Sequence, residues 1–169
     1  MKIFHFIALL LVIILAACTS NDENTENATA NVNQILDDWH EAAAAADFDR
    51  YFNQFASDSA IFMGTDATER WTVPEFKAYA KPHFDKGNAW NFTPVQRNVY
   101  ISETGQTAWF DEVLGTPNLG PARGTGVLTR QDTTWKIAHY NLSIPIPNAI
   151  ADTVVQQVEQ ALNDSTSTK

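Results

Sequence analysis

Gly124-Thr-Gly-Val-Leu-Thr-Arg130, the turn Gln131-Asp-Thr133 and Thr134-Trp-Lys-Ile-Ala-His-Tyr-Asn-Leu-Ser143 read as two long β-strands of one hairpin. In the second strand Trp135, Ile137, His139, Asn141 and Ser143 alternate with Lys136, Ala138, Tyr140, Leu142 and Ile144. An apolar start followed by His, Asn and Ser on one side predicts a wall that begins in a core and ends in a polar cavity. Pro145 and Pro147 stop the wall, because proline donates nothing to a strand ladder.

Two further strands precede the hairpin. Asn91 to Ser102 and Gln106 to Leu114 are joined by the turn Glu103-Thr-Gly105, and a loop from Gly115 to Pro121 leads on. Period-two alternation puts Trp109 with Asp111, and Arg123 with Thr125 and Val127, so Asp111 and Arg123 are expected as cross-strand neighbours. Earlier in the chain, Val32, Ile35, Leu36, Trp39, Ala43 and Ala46 have helical spacing over 32–46. Asp47 serves as N-cap of a second helix bearing Phe48, Tyr51, Phe52 and Phe55. Ser59 to Met63 and Thr68 to Trp71 flank a turn. Thr72-Val-Pro-Glu75 is a capping box opening a helix that Pro82 is expected to kink or end. A last helix covers 149–162, with Val154, Val155, Val158 and Leu162 on one side, before a tail at 163–169. Helices gathered early against a meander of long strands predict a single α+β domain with the helices on the concave side of a curved antiparallel sheet.

The first residues carry a different message. Lys2, the apolar run Ile3–Leu15 and the small residues before Cys18 have the form of a secretory signal over residues 1–17, too short to span as a helix. Leu15-Ala-Ala-Cys18 resembles the bacterial lipobox, which implies cleavage before Cys18 and a lipid on its sulfur; a plain signal with an incidental cysteine is the other reading. Residues 18–31, rich in Asn, Thr, Glu and Ala, are expected as a disordered tether. The expected place is the cell envelope, outside the cytoplasm, with the membrane reached through the anchor alone. A net charge of −9 over 169 residues, with no basic block, argues against nucleic-acid binding. One cysteine leaves no disulfide within the domain. His40, His83 and His139 lack metal-ligand spacing, and no phosphate or dinucleotide fingerprint occurs, so neither metal nor cofactor is expected.

Gly64-Thr-Asp-Ala-Thr-Glu-Arg-Trp71, Ala108-Trp-Phe-Asp-Glu112, Arg123-Gly-Thr-Gly-Val-Leu128 and Trp135-Lys-Ile-Ala-His-Tyr-Asn-Leu-Ser-Ile-Pro-Ile-Pro147 look like the SnoaL-like branch of the nuclear transport factor 2-like superfamily. The resemblance covers residues 32–148. It implies a cone-shaped roll with a mostly apolar pocket at its open end, often in a homodimer packed through the sheet. That superfamily holds cyclases, isomerases, dehydratases and non-enzymatic binding domains, so the fold leaves function open. One reading makes Asp111 and His139 acid/base groups in a cavity walled by Trp39, Phe55, Trp71, Phe84, Trp90 and Trp109, with Arg123, Asn141 and Ser143 as its polar lining and Asn141 or Tyr140 as donor to a developing enolate oxygen. The other makes Asp111–Arg123 a structural ion pair and His139–Asn141 a satisfied lining. Asp66, Glu69 and Arg70 either guard the mouth or serve the turn, and His40 either points into the cavity or, as expected, takes a surface or helix-packing role. The expected function is binding of a small, largely apolar molecule; the alternative is a cofactor-free isomerase, cyclase or dehydratase.

Overall fold

The computed structural model describes residues 2–87 and 89–167, with side chains described over 23–87 and 89–164. Helix α1 (Lys2–Ala44) is followed by the short α2 (Phe48–Phe52), β1 (Ile61–Met63), β2 (Arg70–Thr72) and α3 (Val73–Asp85). Then come β3 (Thr93–Ile101), β4 (Thr107–Gly115), β5 (Ala122–Gln131), β6 (Thr134–Ser143), a 3-10 turn (Asn148–Ile150) and α4 (Ala151–Ser167). The strands form one curved, unclosed sheet in the order β2-β1-β6-β5-β4-β3. All neighbours are antiparallel except β1 and β6, which run parallel with Ile61 opposite His139.

Local chemistry accounts for the elements. Asp47 caps α2 by accepting from the Arg50 amide at 3.1 Å. Glu75 accepts from the Thr72 amide at 2.8 Å and from its hydroxyl at 2.7 Å, closing the box that starts α3. That helix runs through Pro82 to Asp85, so of the two expectations, a kink or an end around Tyr79 to Phe84, the end does not occur there. The helices bury Val32, Leu36, Trp39, Tyr51, Phe52, Phe76 and Phe84 against Ala108, Phe110, Leu114, Leu128, Trp135, Ile137, Tyr140 and Leu142 of the sheet. Such burial, at about 25 cal/mol per Å² of apolar surface, is the main favourable term in folding.

Several sequence expectations shift. The stretch 18–31, expected as a tether, is helical and continuous with α1, and Ala28 within it is buried. The second helix stops at Phe52 rather than Phe55, and α4 reaches Ser167, past the expected end at 162. The side chain of Cys18, the expected lipidation site, lies outside the described residues. Among the described residues no helix is long and apolar enough to cross a membrane.

The largest correction concerns β6. Val127 pairs with His139 but Leu128 pairs with Ile137, so Ala138 is an extra residue in the strand. This bulge breaks the alternation. Trp135 and Ile137 face the helices as expected, yet beyond the bulge it is Tyr140 and Leu142 that do so. His139, Asn141 and Ser143 therefore turn to the opposite, outer side. Their polarity matches that side, and the two buried apolar residues matching the inner side make the shift favourable.

A candidate aromatic slot above a buried carboxylate

On the helix side, between β1, β2, α3 and the segment before β3, aromatic rings enclose a small cavity of about 90 Å³. Its walls are Phe62, Trp71, Phe76, Tyr79, Trp90, Phe92 and Leu142, with no charged side chain. The rings lie nearly parallel. Phe76 stacks on Phe62 at 3.9 Å and 14°, on Trp71 at 5.5 Å and 10°, and on Trp90 at 5.6 Å and 17°. Trp71 stacks in turn on Tyr79 at 4.5 Å and 24°. At these separations the rings touch one another, and the parts of the stack that line the cavity offer a flat guest offset or edge-to-face contacts.

Below the slot, Phe92 meets the His40 ring at 6.3 Å, and His40 leads to a buried polar cluster. Glu112 is 1 % exposed and His40 4 %. His40 Nε2 lies 2.9 Å from Glu112 Oε1, and the Tyr140 hydroxyl donates to the same oxygen at 3.3 Å. Arg97 Nε donates to Glu112 Oε2 at 2.8 Å, and Arg97 Nη1 donates to Asp37 at 2.7 Å. Burial alone would raise the Glu112 carboxyl, but the His40 and Arg97 contacts outweigh it and hold the group below its ordinary range. Glu112 is therefore an anion, which only accepts, so Nε2 of His40 carries a proton. Burial first, then the Glu112 charge, pushes the Tyr140 phenol well above its ordinary value and keeps it a donor. Gly124 makes room for this cluster: a β-carbon there would collide with the Tyr140 hydroxyl and stand 2.7 Å from Glu112 Oε1. Two buried donors, Trp39 Nε1 and Arg97 Nη2, have no partner among the described residues.

The residues singled out from the sequence divide between two sides of the sheet. Trp71 and Trp90 line the slot. Trp39 and Phe55 lie in the packed core, 5.9 Å apart edge to face. Trp109, Asp111 and His139 lie on the outer face, in an open groove shared with Tyr100, Thr125 and Val127. There Asp111 accepts from Asn98 at 3.0 Å, and Trp109, 46 % exposed, stacks on Tyr100 at 5.8 Å. Asp111 faces Thr125 across the ladder and Arg123 faces Val113, so Asp111 and Arg123 are not direct neighbours. Asn141 and Ser143 line a separate groove of about 730 Å³ between the β1–β2 hairpin and α4. Asp66 serves its turn, accepting from the Thr68 amide at 2.8 Å and hydroxyl at 2.6 Å. Sequence reasoning passed over Glu112 and Arg97. Glu112 shares its strand face with Ala108, Phe110 and Leu114, and a carboxylate in an apolar register was the available signal. Among the described residues no group of His, Cys, Asp and Glu could hold a metal ion.

A family model described as the SnoaL-like domain matches residues 32–147. No functionally curated protein matches the sequence. A nuclear transport factor 2-like protein of unknown function from Pseudomonas putida superposes with a TM-score of 0.61 at 16% identity, covering 73% of this chain and 91% of that one. A Streptomyces avermitilis protein of the same superfamily, provisionally named a dehydratase, gives 0.61 at 14% identity, with 72% and 99% covered. A cystatin-like-fold protein from Nostoc punctiforme gives 0.56 at 9% identity, with 69% and 90% covered. At these identities the likeness is one of fold.

Proposed function

From the premise that the chain belongs to the SnoaL-like domain family, a fold used for small-molecule binding and cofactor-free catalysis, we propose that it is an extracytoplasmic, lipid-anchored domain that binds a small, flat, apolar molecule in the aromatic slot. The observation that carries this reading is an uncharged cavity lined by the stacked, near-parallel rings of Trp71, Phe76 and Trp90. A gap of about 90 Å³ admits a fused-ring guest only with modest opening of its walls, a smaller volume than the roughly 150 Å³ of an apolar cavity that takes up benzene. Tyr79, stacked on Trp71, is the exposed wall, at the rim. The test uses 1-indanone, a flat aromatic ketone. It should quench tryptophan fluorescence saturably, and Trp71→Ala should weaken binding about tenfold, roughly 1.4 kcal/mol. Binding unchanged by Trp71→Ala would sink the slot as the site. The anchor is tested separately, by the mass of the mature N-terminus: an unmodified chain retaining Lys2 would exclude it.

A second reading, a cofactor-free proton-transfer enzyme, is favoured by one observation. Glu112 fixes His40 with Nε2 protonated beneath the slot, near two buried donors that have no partner among the described residues. With Nε2 committed to Glu112, Nδ1 is the ring nitrogen left to take a proton from a substrate. Under this reading the chain should speed exchange of the 1-indanone α-protons for deuterium, followed by NMR. His40→Gln should abolish the acceleration while leaving fluorescence quenching within twofold. Exchange at the solvent rate with bound indanone leaves binding as the function.

A further inference from the structure

Between its apolar beginning and its core-facing stripe, α1 carries Asn24, Thr25, Asn27 and Asn31. Asparagine and threonine form helices poorly, because their side chains compete for the backbone. The run is helical all the same, and Asn24, Asn27 and Asn31 recur at i, i+3 and i+7, which is one helix face. That face is one wall of a cleft of about 640 Å³. The turn from Ser102 to Gly105 between β3 and β4 forms the opposite wall, and Arg130 closes one end. Ala28 and Trp135, both buried, form the floor. None of these residues belongs to the aromatic slot.

The chemistry of the walls selects a ligand class. Each asparagine amide offers two donors and an acceptor, and Ser102 and Thr104 add hydroxyls. Glu103 and Arg130 are the two charged residues of the lining, so the cleft is formally neutral. A polyanion would be repelled by a chain of net charge −9, and an apolar molecule would leave the amides unpaired. Neighbouring hydroxyls of a sugar ring donate and accept in pairs, as amides, carboxylates and guanidinium forks require. The C–H face of the ring suits an apolar floor. We propose that this cleft is a binding site for a neutral glycan about two sugar rings long, a size within the roughly 300–1,000 Å³ of small-molecule sites.

The test uses the full chain in a detergent without a sugar headgroup, with N,N′-diacetylchitobiose and maltose as probes. At least one disaccharide should give saturation-transfer NMR signals and a titratable Kd. Asn27→Ala combined with Asn31→Ala should weaken it about tenfold or more. Alanine favours the helix, and circular dichroism checks that the fold is kept. Arg130→Gln should act in the same direction, and Trp71→Ala in the slot should leave sugar binding unchanged. Silence from both sugars at about 10 mM, a range that detects millimolar Kd values, would overturn the proposal. So would an affinity indifferent to the asparagine pair, or one lost with Trp71→Ala, which would place the sugar in the slot.

Discussion

Glu112 is where the energetics of this domain are most concentrated. A carboxylate with no exposed side-chain surface holds an imidazole, a phenol and a guanidinium drawn from α1, β6 and β3. Removing one partner of a buried charge pair typically costs about 3–5 kcal/mol, because the other charge is left buried and uncompensated. Glu112→Gln leaves the buried Arg97 with the half-exposed Asp37 as its carboxylate partner and Asn33 as a neutral acceptor, and a loss of about 3 kcal/mol is expected in urea unfolding. The pH dependence has a definite sign. The folded-state pKa lies below the unfolded value of about 4.3, so the contribution is fully present above that pH. It is lost as pH falls through the folded pKa. Stability of the wild type should therefore drop more steeply below about pH 4 than that of Glu112→Gln; parallel curves would show that Glu112 is not the titrating group. The sequence held clues to this cluster. His40 stands four residues after Leu36 and three before Ala43, on the core stripe of α1, and Glu112 stands among apolar strand neighbours. Arg97 had no such mark, since β3 mixes exposed and half-buried residues along its length.

At the scale of elements, the bulge at Ala138 governs which side chains meet the helices. It also lets one strand serve two partners on the same edge: Ile137 exchanges backbone hydrogen bonds of 2.8 Å with Gln54 and Ala56, while His139 to Asn141 pair with β1. Deleting Ala138 restores strict alternation, with Trp135, Ile137, Tyr140 and Leu142 still facing the helices. The deletion should cost about 1–3 kcal/mol yet leave a folded, cooperative domain, measured by thermal unfolding with near-ultraviolet circular dichroism. A molten or unfolded product would show that the bulge is indispensable. The hairpin, the order of elements and both cap motifs were legible, because each rests on local periodicity or a local hydrogen bond. The bulge was not, since alanine is at home on either face and leaves the apparent period unbroken. The helical run before residue 32 was equally hidden: its composition is that of a linker, and only the packing of Ala28 distinguishes it.

For the whole molecule, the helices cover one side of the sheet and leave the other open. Tyr100, Trp109 and Val113 are exposed there, between 42 and 46 % each, in a patch that runs over β3 and β4. Exposed apolar surface of this kind marks an association surface. We propose that two copies pack through it, as the family resemblance leads one to expect. Sedimentation equilibrium should give a dimer that Trp109→Glu converts to monomer, and a monomeric wild type would refute the arrangement. Residues sought in the pocket from the sequence, Trp109 and His139 among them, are placed where such a contact would use them.

The strand order carries a further consequence, one of timing. β6 is the last strand to leave the ribosome, yet it lies at the middle of the sheet, between β1 and β5. Ile61 must wait for His139, and the pairing that joins them is the parallel, non-local kind that closes slowly. Until then β1 and β2 can pack on α3 but have no place in the sheet, and the apolar faces of α1 and α2 lack their cover from β6. A nascent chain of this design cannot complete its core early. Its core can close only after Ser143 has emerged.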